Sequence, residues 1–307
     1  MPDNPFHVVD VFARERYTGN QLAVFHDAAD LDGDEMLALT RETNFSECTF
    51  LVGEADGGYD VRIFDPAEEI PFAGHPTLGT AYVLREFVRE NCPDELTLNL
   101  GVGPIDVRVE RGGDNGAGDD GEHVDGGGGG GDELYWMRQI APDFGGTVPR
   151  SLAARLLGLD ESDLDDYPVQ TVSTGLPTLV VPLASLGAVE RAGTTDPAYT
   201  EFIEEYGGHN VLVFTNETEA DGDLHARVFA DWAGVPEDPA TGSSNGCLAA
   251  WLVEHRYFAA REVDVRVEQG FEMDRPSTLH LRAEAEGDDV AVEVGGRVSP
   301  VAEGRLL

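Results

Sequence analysis

The chain contains no lysine. Its 20 basic residues are all arginines, set against 59 aspartates and glutamates, for a net charge of −39 over 307 residues. So large a deficit of positive charge removes the basic footprint that nucleic acid or an anionic membrane surface requires, and neither is expected as a partner. Cysteine is scarce as well. Cys48, Cys92 and Cys247 make an odd number with no CxxC spacing, which argues against a disulfide framework or a zinc site. No segment approaches 18 apolar residues, and no basic flank precedes an apolar run at the N-terminus, so neither a membrane span nor a signal peptide is expected. A GxGxxG after a strand and a GxxxxGKS are both missing, which leaves dinucleotide and P-loop chemistry without a motif. Acids are too abundant for their spacing to mark a metal site, and none is expected.

The acids run along the whole chain rather than forming a tail. Such charge repels within a compact fold when the Debye length is about 8 Å, as at physiological salt, and is screened at 1 M, where it is about 3 Å. The expected setting is therefore a high-salt cytoplasm.

What the sequence does have is a loop rich in turn and cap residues, Glu237-Asp238-Pro239-Ala240-Thr241-Gly242-Ser243-Ser244-Asn245-Gly246. It leads into Cys247-Leu248-Ala249-Ala250-Trp251-Leu252-Val253, apolar on every face and so expected as an enclosed helix. Its N-terminus, opening through small residues, suits an anion, although such loops often only cap a helix. A related stretch occurs earlier. Val61-Arg62-Ile63-Phe64 leads through Pro71-Phe72-Ala73-Gly74-His75-Pro76-Thr77-Leu78-Gly79 to a second apolar run, as Ala226-Arg227-Val228-Phe229 leads to Gly246. Thr18-Gly19 before Leu22-Ala23-Val24 likewise echoes Thr174-Gly175 before Leu179-Val180-Val181. A weak repeat of this length predicts two similar domains whose helix N-termini face one cleft.

The predicted fold class is α+β, with two pseudo-symmetric domains, each a mostly antiparallel sheet wrapped around a central helix. The N-terminal domain is expected over residues 1–139 and the C-terminal over 140–307, with the last strand able to return to the first domain. Residues 112–133, an Asp/Gly tract with a run of six glycines, cannot bury enough apolar surface to offset ordering and are expected as a disordered hairpin tip. Strands are expected at 8–12, 22–25, 45–52 and 59–64, helices at 30–43 and 76–88, and a crossing between domains at 140–148. In the second half, helices are expected from Pro149 and Pro197, and strands at 169–172, 179–183, 211–214, 224–229, 263–267, 278–283 and 290–294.

Glu47, in the predicted strand 45–52, shares the two-residue period of Phe45, Thr49 and Leu51, an odd face for a carboxylate. At a strand end it would simply remain in solvent. Facing a cleft, it would be pushed toward its neutral form and toward acid–base work near neutral pH. His75, between Gly74 and Pro76, is either a loop histidine bonding backbone or a site residue. Asp238 is either a helix cap or its counterpart in the second half, and Ser243 caps or binds a substrate oxygen.

Together, Val9-Asp10-Val11-Phe12, Thr18-Gly19-Asn20, Asn44-Phe45-Ser46-Glu47, Gly74-His75-Pro76-Thr77 and Glu237-Asp238-Pro239-Ala240-Thr241-Gly242-Ser243 resemble the phenazine biosynthesis PhzF family, in its order and over nearly the full length. The resemblance implies the diaminopimelate-epimerase-like fold, a homodimer, and a cofactor-free isomerase acting on a small carboxylated substrate. In it the glutamate matched by Glu47 moves a proton, and His75, Asp238 and Ser243 match further active-site positions. Ser46, Gly74, Thr241 and Gly242, in the same motifs, are expected to bind substrate. The acidic glycine tract has no counterpart in the pattern. Two other readings remain open from sequence. One is a two-thiol racemase or epimerase of the same fold, which needs a cysteine at each helix start. The other is a binding protein that keeps the cleft without turnover.

Overall fold

The computed structural model describes residues 4–111, 133–287 and 289–307. The expected hairpin tip at 112–133 therefore lies outside the described residues, except for Glu133, which opens a strand.

Two halves follow one plan. In the first, Pro5–Val11 pairs antiparallel with Asn20–Phe25, which lies parallel to Cys48–Ala55. That strand turns back at Asp56-Gly57 into Gly58–Phe64, which lies parallel to Glu95–Leu100. Gly103–Arg111 and Glu133–Arg138 complete the run. In the second half the same pairings recur through Gln170–Ser173, Pro177–Pro182, Asn210–Thr215, Leu224–Ala230, Glu262–Gln269, Ser277–Glu286 and Asp289–Gly296. The motif-level repeat is thus a repeat of strand order and direction.

The halves are joined by shared ladders. Glu133–Arg138 pairs with Asp289–Gly296, and the 18 strands among the described residues form one continuous sheet. Each run also gains an outer strand, and the second of the two crosses between the halves. Asp143–Thr147 lies against Gln170–Ser173, and Val298–Arg305 lies against Pro5–Val11. The first of these falls in the stretch expected only as a crossing, where Gly145 and Gly146 obscure strand character. The short helix Leu186–Arg191 also had no expectation.

Each half wraps a helix. Gly74–Val83 is buried at every residue and continues into a π-turn, Leu84–Val88. Gly242–Glu254 is buried along its apolar run. Both belong to one core cluster with Val9, Leu22, Val180, Leu281 and Val294, and each such fully buried aliphatic side chain contributes roughly 1.5–3 kcal/mol. Sheet and helix meet closely at Gly79, where a Cβ would come within 2.5 Å of Leu22 Cδ2 and 2.9 Å of Val11 Cγ2. Among the described residues, no helix is long and apolar enough to cross a membrane.

Two of the boundary differences bear on the site. The strand expected from residue 45 begins at Cys48. Asn44 ends the helix Gly33–Thr43 in a left-handed conformation (φ 56°), so the chain must turn before it can extend. His75 lies in the first turn of its helix rather than in a loop, because the helix starts at Gly74.

Candidate active site

The two central helices meet end to end. A Cβ placed on Gly74 would lie 3.3 Å from the Gly242 Cα and 3.4 Å from the Ser243 backbone nitrogen. A side chain at Gly74 would force its neighbours to give way by a few tenths of an ångström. The helix Gly33–Thr43 carries a full capping box from Asp32 and Glu35, whereas neither Ala73 nor Thr241 caps its central helix with a side chain. Uncapped first-turn N–H groups of two helices thus converge, and their dipoles favour negative charge at that point.

Glu47 reaches this point from the turn before Cys48–Ala55. Cys48 and Phe50 face an outer cluster with Phe25 and Met36. On the opposite face Thr49 accepts a hydrogen bond from Thr80 of the first central helix at 2.8 Å. Glu47 keeps the parity of Thr49 and meets the same helix one end earlier. Its Oε2 lies 3.5 Å from His75 Nε2, and both atoms are buried without a hydrogen-bond partner. Burial pushes the Glu47 carboxyl up to about 7, with Asp65 adding to the rise and a Ser46 hydrogen bond opposing it. Burial also pulls His75 down to about 4, against the charge of Asp238 and a hydrogen bond to the Gln21 backbone. Near neutral pH the imidazole is therefore neutral, and Glu47 exchanges readily between its two forms.

Asp238 completes the group. Burial raises its carboxyl to about 6; His75 opposes the rise and Glu47 adds to it, while Thr241 and Asn20 favour the ionised form. It accepts hydrogen bonds from Asn20 Nδ2 at 2.9 Å and from the Thr241 hydroxyl. Ser46 Oγ sits 3.5 Å from the Asn20 side-chain oxygen. Ser243 is half-buried in the first turn of its helix, and its carbonyl accepts from Thr174 Oγ1 at 3.2 Å. All eight candidate residues thus fall on the two helix starts and the adjoining turns at 46–47 and 238–241. The structure adds Asn20, the last residue of the Thr18-Gly19-Asn20 motif, and Gln21 next to it, neither of which carries a signal of its own.

The halves differ in one respect. Cys48 faces Phe64 across its ladder as Val211 faces Phe229, so the counterpart of Glu47 is Asn210. Its buried amide is already engaged, donating to Ser244 Oγ at 3.0 Å and accepting from Trp232 Nε1 at 2.8 Å. Only the first half offers a carboxyl at this position.

A family model described as phenazine biosynthesis-like protein matches residues 9–304. This chain belongs to that family. It is similar to the trans-2,3-dihydro-3-hydroxyanthranilate isomerase of Pseudomonas aeruginosa, with 35% identity covering 97% of each chain. Like its relatives it is an isomerase. The crystal structure of a PhzF-family phenazine biosynthesis protein from Bacillus anthracis superposes with a TM-score of 0.86, at 25% identity over 100% of both chains. A probable proline racemase from Agrobacterium radiobacter shares the fold alone, at 14% identity and a TM-score of 0.60 over 99% of this chain and 93% of its own. The fold is accordingly the one shared by PhzF proteins and the diaminopimelate-epimerase and proline-racemase group.

Proposed function

We propose that the protein is a cofactor-independent isomerase that moves a proton between two carbons of a small carboxylated substrate, with Glu47 as both base and acid. The observation that carries this reading is the Glu47–His75 pair, two buried polar atoms 3.5 Å apart with no other partner, at the point where two uncapped helix N-termini meet. A buried polar group without a partner calls for an explanation such as a catalytic role or a bound water or ion, and here two such atoms face each other at the helix junction. The helix ends hold the substrate carboxylate and orient a C–H bond toward Glu47. Glu47 takes the proton as carboxylate and returns it at another carbon as acid, so the bond broken and the bond formed are both C–H and no electrons leave the substrate. His75 and Asp238 orient or polarise the substrate, and Ser243 bonds one of its oxygens. Ser46, Gly74, Thr241 and Gly242 line the same point.

The two-thiol reading finds no support in the geometry. Cys247 lies inside the second central helix, Cys48 inside a strand, and burial pushes both thiols up. At the start of the first central helix stands His75.

The remaining expectations belong to the same reading: domains at 1–139 and 140–307, a homodimer, and a cytoplasm rich in salt. Sedimentation velocity across a salt series tests the dimer. For the reaction, the first compound to offer is trans-2,3-dihydro-3-hydroxyanthranilate, named for the Pseudomonas relative, followed by a panel of cyclic and amino carboxylic acids in deuterated water. Deuterium uptake at carbon supports the reading. Uptake lost in Cys247→Ser but kept in Glu47→Gln would transfer the chemistry to the thiol.

A further inference from the structure

The strand Glu262–Gln269 ends beside the site, and the elbow that follows it touches loops from both halves. Gln269 is fully buried and makes all four hydrogen bonds open to a primary amide. Its Nε2 donates to the Asp238 carbonyl at 2.7 Å and to Thr241 Oγ1 at 3.2 Å. Its Oε1 accepts from the Thr241 backbone N–H at 3.3 Å and from Asn245 Nδ2 at 2.8 Å. The next residue, Gly270, has φ +79°, and a Cβ there would lie 2.6 Å from the Pro239 carbonyl oxygen. Ser277 Oγ donates to that same oxygen at 2.9 Å. The loop carrying Asp238 is thus held at 238, 239 and 241 by one elbow.

The same elbow reaches the other half. Arg275 donates from Nε to the Gly19 carbonyl at 2.7 Å, and from Nη2 to the Thr18 carbonyl at 3.2 Å and Asp10 Oδ1 at 2.8 Å. Asp10 is buried, and its other oxygen accepts from the Tyr17 N–H at 2.8 Å. Asn20, next along from Gly19, closes the circuit through its bond to Asp238.

We infer that residues 269–277 are a positioning clamp for the site, in which Gln269 fixes the Asp238 loop and Arg275 fixes the Asn20 turn, so that the two halves present their groups in one register. Both residues hold backbone and hydrogen-bonding partners of Asp238 rather than substrate, so they are positioning residues. The inference rests on the proposed role of Asp238.

The test uses the full chain with Gln269→Leu, Gln269→Met and Arg275→Lys, and two readouts. The first is carbon NMR of the side-chain carboxyls without substrate, where Asp238 and Glu47, pushed up to about 6 and about 7, stand apart from ordinary carboxyls. The second is the rate of solvent deuterium uptake into trans-2,3-dihydro-3-hydroxyanthranilate. A loosened Asp238 gains solvent, so its midpoint is expected to fall toward the ordinary carboxylate range, and uptake is expected to fall roughly 10- to 100-fold, the scale of a misplacement near 1 Å. Gln269→Met, which keeps the length, adds no charge and loses the donors and the acceptor, is expected to act in the same direction with the fold intact. A lower melting temperature with an unmoved Asp238 titration in every folded variant would overturn the inference. The NMR readout needs no turnover, so it judges the clamp even if Glu47→Gln were to retain exchange and the proposed reaction failed.

Discussion

The Oε2 of Glu47 and the Nε2 of His75 face each other across 3.5 Å, and neither has another hydrogen-bond partner. A neutral imidazole beside a carboxyl poised near neutrality is a stable arrangement for receiving and returning one proton. Each partner is shifted chiefly by the same burial, Glu47 upward and His75 downward.

That pairing sets the pH profile. Glu47 acts first as carboxylate, so kcat/KM for exchange should rise with pH and level off above an apparent midpoint near 7. Asp238, raised to about 6, adds curvature below it. An acid limb centred at 4 to 5 would mean that a carboxyl with an ordinary environment does the work.

The same burial costs stability. Glu47 has a folded pKa of about 7 against 4.5 in the unfolded chain. The penalty is absent below 4.5, grows as pH rises between the two values and is complete above 7. At about 1.4 kcal/mol per unit its upper bound is about 3 kcal/mol, reduced by the 21% of the side chain that remains exposed. Glu47→Gln is expected to raise the melting temperature at pH 8 by several degrees and to leave it unchanged at pH 4. Equal melting curves at pH 8 would show that the carboxyl is not strained by its surroundings.

How much of this was legible beforehand follows from which signals are local. Hydrophobic runs without polar faces located both central helices, and the repeat of Arg-x-Phe strands before them located the two halves. The parity of Glu47 with Phe45, Thr49 and Leu51 marked an odd face for a carboxylate but left a solvent-exposed strand end open; the strand starts three residues later than expected, and Phe45 packs on the outer cluster instead. The strand Asp143–Thr147 was hidden, and Val298–Arg305 lay beyond the last run expected at 290–294, although a last strand returning to the first domain was expected. The first is glycine-rich, and the second pairs only with the opposite end of the chain. Asn20, Gln269 and Arg275 were invisible for another reason. Their importance lies in hydrogen bonds across more than 200 residues or to backbone carbonyls, which leave no pattern in a neighbouring stretch.

Contact between the helix ends gives a steric prediction. In Gly74→Ala the new methyl would press on the Gly242 Cα at 3.3 Å and on the Met137 methyl at 3.1 Å. The side chain can move aside; the backbone cannot move without shifting the helix. Overpacking of this kind costs about 1–3 kcal/mol. Substrate affinity should fall while the circular dichroism spectrum is kept. A Gly74→Ala protein binding substrate as tightly as the parent would remove the helix junction from the site.

Salt is the test of the acidic surface. With a net charge of −39 and repulsion screened only as the Debye length shrinks toward about 3 Å at 1 M, the melting temperature should climb steadily in NaCl or KCl from about 0.1 M to 2 M. A flat series would show that the charge pattern carries no folding penalty at low salt.

The central claim is that Glu47 carries the proton, and one comparison addresses it directly: deuterium uptake at substrate carbon by the parent protein and by Glu47→Gln, with binding measured in parallel by calorimetry. Gln keeps the size and most of the hydrogen bonding of Glu but cannot take up a proton near neutral pH. Uptake is expected to drop by about 10²- to 10⁴-fold, the usual contribution of a general acid–base group, with affinity changed far less. Uptake at the parent rate in a folded, substrate-binding Glu47→Gln protein would contradict the account.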